Sequence, residues 1–314
     1  MKYLKKVFIG ISCLLGIVLL ILIIDYIRLN VSYQKNKKAY TDAFNTPGVK
    51  DSYVPQGMAY DGQHNIVLQT SYNGKGKVSK LYVVDFKTKK LLKELAIRTI
   101  DGKDNKLHVG GIATNGYNVW ITSDYKVSEF SLDEILTTSQ NYIESYNDSK
   151  LPIRGDFCYC DEEANLWIGD FFLKPFYEVP NDTPLLFKYS AYDELKYDNP
   201  ELVVSLPKMV QGMTITKDNK FVFTKSFTYL IKSELTTYKN IFKEKTTDTY
   251  KFKNKEIPYY HFTKKNLIKN EKLPPMAEGL FYKDNPLYIL FESNSSHYPL
   301  ALPKVTKVLK KSTK

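Results

Sequence analysis

The chain has 314 residues, enough for one large domain or two small ones. With 43% hydrophobic and 25% charged residues and only three cysteines, the composition excludes a mostly disordered chain and a disulfide-stapled scaffold. The net charge of +11 sits at the two ends: residues 1–38 hold seven Lys/Arg and one Asp, and residues 304–314 hold five Lys and no acid, which leaves a body with as many acids as bases. A basic nucleic-acid-binding domain is therefore excluded.

The first predicted element is the apolar run 7–24, preceded by Lys2, Lys5 and Lys6 and followed by Asp25, Tyr26 and Arg28. As a helix it would span about 27 Å, close to the hydrocarbon thickness of a bilayer. Its exit, Leu-Ile-Leu-Ile-Ile-Asp, has no small-residue cleavage pattern, so residues 1–28 read as an uncleaved transmembrane anchor. A cleaved signal peptide is the alternative. Cys13 lacks a lipobox, because Gly10 stands where Leu is needed. The expected arrangement is a single-pass cell-membrane protein with a short internal N-terminus and the large domain on the extracytoplasmic side. Residues 29–44 read as a juxtamembrane linker.

Residues 45–303 read as short strands of Val, Ile, Leu, Tyr and Phe, separated by Gly, Asn, Asp and Pro. Only 132–136 suggests a helical turn. The segments VPQGMAYDGQHNIVLQTSY (54–72), HVGGIATNGYNVWITSD (108–124), VQGMTITKDNKFVFTKSF (210–227) and MAEGLFYKDNPLYILFES (276–293) repeat one pattern, and RGDFCYCDEEANLWIGDF (154–171) is a looser copy. Each has a polar residue, a glycine, a short strand, a tight turn and a second strand. The anchor glycines Gly57, Gly111, Gly155, Gly212 and Gly279 are spaced widely enough for two more strands per unit. Four strands repeated five times predict an all-β, five-bladed β-propeller behind the transmembrane helix, with six blades as the alternative. The last unit is short of strands, and 45–50 is placed to supply its outer one. Segments 137–152 and 236–256 read as polar insertions, and 304–314 as a basic C-terminal tail placed to touch anionic lipid or cell-wall polymer.

In such a ring the start of each first strand and the end of each second strand share one mouth of the central channel. Gln56, His108, Asp156, Gln211 and Glu278 stand at the first position, and Tyr72, Asp124, Asp170, Ser226 and Glu292 at the second. This convergence marks Gln56, His108, Asp124, Asp156, Asp170, Gln211, Glu278 and Glu292 as candidate ligand-binding residues. Glu278 and Glu292, on adjacent strands, are the candidate catalytic pair: an acid/base couple, a calcium site, or carboxylates paired with a base such as Arg154. His108 has no second ligand at metal spacing. Trp120, Trp167 and Tyr288 share one place in their units and are assigned to blade packing, as are Cys158 and Cys160. No nucleophile elbow, phosphate loop, dinucleotide fingerprint or His-Glu-x-x-His is present.

The succession VPQGMAY, HVGGIA, LWIGDF, VQGM and MAEGLFY with LYILFES resembles a family of uncharacterised bacterial secreted or membrane-anchored β-propellers over residues 50–300. More distantly it is similar to gluconolactonase-type and glutaminyl-cyclase-type propellers, with Gln56-Gly57 and Thr70-Ser71-Tyr72 most like the cyclase opening. The resemblance implies a propeller fold. The expected function is binding of a small ligand, glycan or peptide at the channel mouth. The alternative is a hydrolase, lactonase or cyclotransferase that uses the channel carboxylates, with or without a divalent cation.

Overall fold

The computed structural model describes residues 2–36, 39–191, 195–301 and 304–312. Helix α1 (Lys2–Asn36) contains Lys5–Arg28, a stretch long and apolar enough to cross a membrane. Part of the expected linker is regular structure, because nothing between Gly16 and Pro47 breaks it. The helix runs on to Asn36, and Thr41–Asn45 forms strand β1.

The remaining strands form five blades around an axis. Blade one is the antiparallel meander β2 (Tyr53–Asp61), β3 (Ile66–Asn73), β4 (Lys80–Asp85) and β5 (Leu91–Arg98). Blade two begins with β6 (Gly111–Thr114), β7 (Asn118–Ser123) and β8 (Lys126–Ser131). Helix α2 (Leu132–Thr137), capped by Ser131, then leads to β9 (Tyr142–Glu144) and β10 (Asn147–Lys150). The expected insertion 137–152 is thus structural: β9 adds a parallel fifth strand to blade one, and β10 is the outer strand of blade two.

Blade three is β11 (Phe157–Cys160), β12 (Asn165–Gly169), β13 (Leu185–Ser190) and β14 (Leu202–Ser205). Blade four starts with β15 (Val210–Ile215), β16 (Phe221–Lys225) and β17 (Ser233–Tyr238). The chain then leaves it for the hairpin β18 (Thr249–Phe252) and β19 (Lys255–His261), and returns as β20 (Leu267–Leu273). That hairpin lies parallel to β14 and widens blade three, so the segment 236–256 also does more than fill a loop.

Blade five takes β21 (Ala277–Tyr282), β22 (Pro286–Phe291) and β23 (Lys307–Ser312) from the C-terminal end and β1 from the N-terminal end. Register runs Thr41↔Lys310 to Asn45↔Lys307, so the two ends of the chain close the ring together. Two expectations change here. The closing strand is Thr41–Asn45 rather than 45–50, and most of the basic tail 304–314 is strand β23. Val308 and Leu309 are buried, and the lysines on either side of them keep their charged ends outside the core; Lys311 reaches Glu271 at 3.0 Å.

Period-two alternation divides the apolar residues of each blade between its two neighbours. Leu68, Ile121 and Phe130 join the seam of blades one and two, whereas Val67, Phe44 and Tyr288 join the seam of blades five and one. Trp120 lies in the seam of blades two and three and Trp167 in that of three and four, so the packing assigned to both tryptophans and to Tyr288 is observed.

At the axis, β2 packs on β6 and β21, β6 on β11, and β15 on β11 and β21. A Cβ on Gly111 would lie 2.5 Å from the Cys158 amide nitrogen, and one on Gly279 would lie 2.6 Å from the Met58 amide. A Cβ on Gly57 would lie 2.8 Å from the Ile112 amide nitrogen, and one on Gly212 would be less crowded, 3.0 Å from the Glu278 carbonyl oxygen. Blade three differs: Phe157 takes the glycine position, and its strand partner is Gly169, where other blades have Thr122 or Thr224. The large and small residues are exchanged between the paired strands. Gly155 has another task, a left-handed turn at φ 67° into the inner strand.

Gly111→Ala is expected to destabilise the protein by about 3 kcal/mol, because the methyl group meets backbone that cannot yield. Gly62→Ala, whose Cβ would meet nothing nearer than 3.6 Å, is expected to be nearly neutral in the same thermal melts. Equal effects of the two substitutions would contradict this account of the axis.

Candidate functional site

The N-terminal ends of the inner strands surround a cavity of about 420 Å³. Gln56, His108, Asp124, Asp156, Gln211, Glu278 and Glu292 all line it, as do Tyr72 and Ser226. Asp170 does not. It is buried behind the wall, where its Oδ1 accepts the Arg154 amide at 2.7 Å. Four inner strands are entered through a left-handed residue that is not glycine: Ser52, Val109, Met209 and Met276, with φ between 45° and 66°. This conformation costs a residue with a Cβ, and for the branched Val109 most of all. It turns the chain sharply at the rim, beside the cavity residues Gln56, His108, Gln211 and Glu278.

Two polar groupings face each other across the cavity. In the first, Glu278 is almost fully buried and Gln56 donates Nε2 both to Glu292 Oε1 and to the Pro55 carbonyl, the latter at 3.0 Å. Burial pushes the Glu292 carboxyl up to about 8, with the Gln56 hydrogen bond opposing. Burial and then the charge of Glu292 raise Glu278 well above the carboxylate range. The pair therefore holds at least one proton at neutral pH. Tyr72 and Tyr298 join hydroxyls at 3.1 Å beside it, and burial followed by Glu292 raises both phenols.

In the second grouping, Arg154 reaches Asp156 at 3.2 Å and Asp124 at 3.8 Å and lies over the Tyr177 ring at 5.3 Å. Arg154 thus serves these aspartates and not the glutamate pair. Burial raises Asp156 to about 6 against the pull of Arg154. Burial and then the charge of Asp156 raise Asp170 to about 7, opposed by the amides of Arg154 and Gly155. The His108 ring packs against Tyr72, tilted by 33° with ring centroids 4.6 Å apart. Its edge is open to the cavity, yet desolvation by the walls lowers its pKa, with Asp124 opposing and Arg154 reinforcing, so the ring is neutral.

Among the described residues, no three His, Cys, Asp or Glu side chains gather as metal ligands. Glu278 and Glu292 offer two carboxyls, one already engaged by Gln56, where a calcium ion takes six to eight oxygens. The glutamates do not fit a calcium cage. What the arrangement offers is a proton-holding carboxyl pair, an arginine clamp and aromatic faces.

Phe171, Tyr177, Tyr229 and Tyr298 also line the cavity, and sequence reasoning passed over them. They belong to connections after the second strands that have no counterpart from blade to blade, so the repeat gave no signal for them. The Phe176 and Phe227 rings stack at 5.7 Å between two such connections.

The stability of this site depends on pH. The raised carboxyls keep their protons in the folded state at a pH where the unfolded chain has lost them, so stability falls as pH rises through about 8. The melting temperature is expected to drop between pH 6 and pH 9. Glu292→Gln keeps the acceptor for Gln56 and is expected to flatten that drop; an unchanged pH profile in this variant would refute the assignment.

No family model matches the chain, and no curated protein does. Solved structures similar to it are propellers. The PQQ-bound aldose sugar dehydrogenase of Streptomyces coelicolor has 10% identity and a TM-score of 0.49, with 87% of this chain and 96% of that one covered. The glutaminyl cyclase of Myxococcus xanthus has 6% identity and a TM-score of 0.47, covering 86% and 95%. A gluconolactonase of Xanthomonas campestris has 7% identity and a TM-score of 0.41, covering 87% and 88%. The chain spans 57% of the length of the hydrazine synthase chain of Kuenenia stuttgartiensis that it also matches. At these identities and TM-scores the likeness carries no activity across. The chain is a β-propeller, distant in sequence from each of these proteins.

Proposed function

We propose that the protein is a single-pass membrane protein whose extracytoplasmic propeller binds a small ligand, glycan or peptide in the cavity at its channel mouth. The apolar stretch Lys5–Arg28 supports the anchor, and the lysines before it support an internal N-terminus. The observation that carries the binding reading is the convergence of all five blades on one cavity that joins aromatic faces to buried hydrogen-bonding groups. Aromatic faces suit the C–H side of a sugar ring or an apolar peptide side chain. Asp124, Asp156 and Glu292 accept hydrogen bonds from hydroxyl or amine donors, and Arg154 and Gln56 donate.

The test is a thermal-shift screen of the full chain with neutral sugars, amino sugars and short peptides. A ligand of this site raises the melting temperature of the wild type, and Glu278→Gln weakens its binding about 10- to 100-fold, as removal of a buried carboxyl that pairs with the ligand does. A ligand bound equally by wild type and variant lies elsewhere.

One observation favours a catalytic reading of the same cavity. Glu292, with its pKa pushed up to about 8 beside Glu278, has the properties of a general acid/base. In a hydrolase, lactonase or cyclotransferase it would move a proton at the reacting oxygen or nitrogen. Glu292→Gln is then expected to lower turnover of any accepted substrate about 10²- to 10⁴-fold while leaving its binding within a few-fold. Turnover retained in that variant removes the catalytic reading.

A further inference from the structure

Strand polarity settles where the N-terminal helix joins the propeller. Inner strand β21 leaves the cavity at Ala277 and ends at Tyr282 on the far face; β22 returns and β23 leaves again. Strand β1 is antiparallel to β23, so it begins on the far face, at Thr41. Four residues separate Asn36 from Thr41, a reach of at most about 17 Å. From Arg28 to Asn36 the helix adds only about 12 Å. The far face is therefore held close to whatever holds the helix.

That face carries the turn between β4 and β5, because Asp85 pairs with Ile66 beside the far turn of blade one. The turn reads Phe86-Lys87-Thr88-Lys89-Lys90-Leu91-Leu92. Leu91 and Leu92 are 47% and 53% exposed, and Lys87 and Lys90 are exposed beside them. Lys89 lies 3.5 Å from the centre of the Phe86 ring and 5.8 Å from that of Phe44 on β1, which brings the turn to the strand where the tether enters. Burial and then the charge of Lys310, the partner of Thr41, lower the Lys89 pKa, so like charges crowd there. The nearby acids are engaged: Asp85 accepts the Thr88 amide in the turn, and Asp42 pairs with Lys307 at 3.1 Å. Lys90 and Lys310 make no ion pair among the described residues.

We infer that this face, with Leu91, Leu92, Lys87, Lys90 and Lys310, rests on the anionic lipid surface of the membrane that holds α1, and that the candidate mouth opens away from the bilayer. Exposed leucines beside lysines match the interface of an anionic bilayer, apolar next to negative, and the short tether presents them to it. The inference rests on the anchor reading.

Full-length chain reconstituted in vesicles tests both separately. Flotation after an alkaline carbonate wash reports the anchor. Docking is read by Leu92→Trp, whose emission brominated lipid quenches on contact; Trp120 and Trp167 are buried and contribute a constant background. Leu300→Trp, 71% exposed near Tyr298 on the mouth face, is the control. In phosphatidylglycerol vesicles Leu92→Trp is expected to be quenched and Leu300→Trp is not, with quenching much weaker in phosphatidylcholine. Each lysine removed from Lys87, Lys90 and Lys310 is expected to lower the docked population about fivefold, so charge reversal of all three abolishes the quenching. A chain that floats but leaves Leu92→Trp unquenched, or that quenches Leu300→Trp instead, overturns the docking with the anchor intact. A chain that the wash strips from vesicles overturns the anchor and the docking together.

Discussion

The whole molecule depends on how closely five backbones can approach one axis. A ring of five blades is narrow, and its inner strands come near enough that Gly57, Gly111 and Gly279 leave no room for a Cβ and Gly212 leaves little. Blade three meets the same limit by moving its glycine to the second strand and placing Phe157 at the axis. Apolar side chains then fill the seams behind this contact, one cluster for each pair of neighbouring blades. The contact is repaid only when the ring is complete, because each seam needs both of its blades.

The same narrowness sets the chemistry of the cavity. Polar side chains at the start of five converging strands are crowded into a small volume, and water is displaced from between them. Burial first, and for Glu278, Asp156 and Asp170 then a neighbouring carboxylate, makes Glu278, Glu292, Asp156 and Asp170 all hold their protons more tightly than free carboxyls do. Arg154 relieves one side of the cavity and Gln56 the other. The neutral His108 adds an aromatic wall rather than a charge. The result is a site whose charge changes within the physiological pH range, and whose protonation any bound ligand would alter.

Closure of the ring couples the two ends of the chain. Strand β23 (Lys307–Ser312) pairs with β1 (Thr41–Asn45), so blade five forms only when two segments far apart in the chain have met. The same pairing fixes the direction in which β1 runs, and with it the face on which the helix arrives. The polar cavity and the tether occupy opposite faces because an odd number of antiparallel steps, three, leads from β21 to β1.

Much of this was legible in the sequence. The apolar run, the repeated strand pairs and their glycines specify a long apolar helix and five blades, because helix length and strand alternation are local properties read one segment at a time. The polar positions at the start of each first strand and the end of each second strand specify seven of the eight candidate site residues as cavity neighbours, since the repeat fixes their place in each blade. The rest was decided by tertiary structure. A Lys-rich segment looks like a tail until Val308 and Leu309 find a seam to fill, and 137–152 looks like an insertion until its strands pair with blades one and two. Asp170 falls behind the wall, Arg154 turns to the aspartates, and the aromatic rings of non-repeating connections enter the cavity. Such pairings join residues far apart in the chain, and no local pattern records which of them will meet.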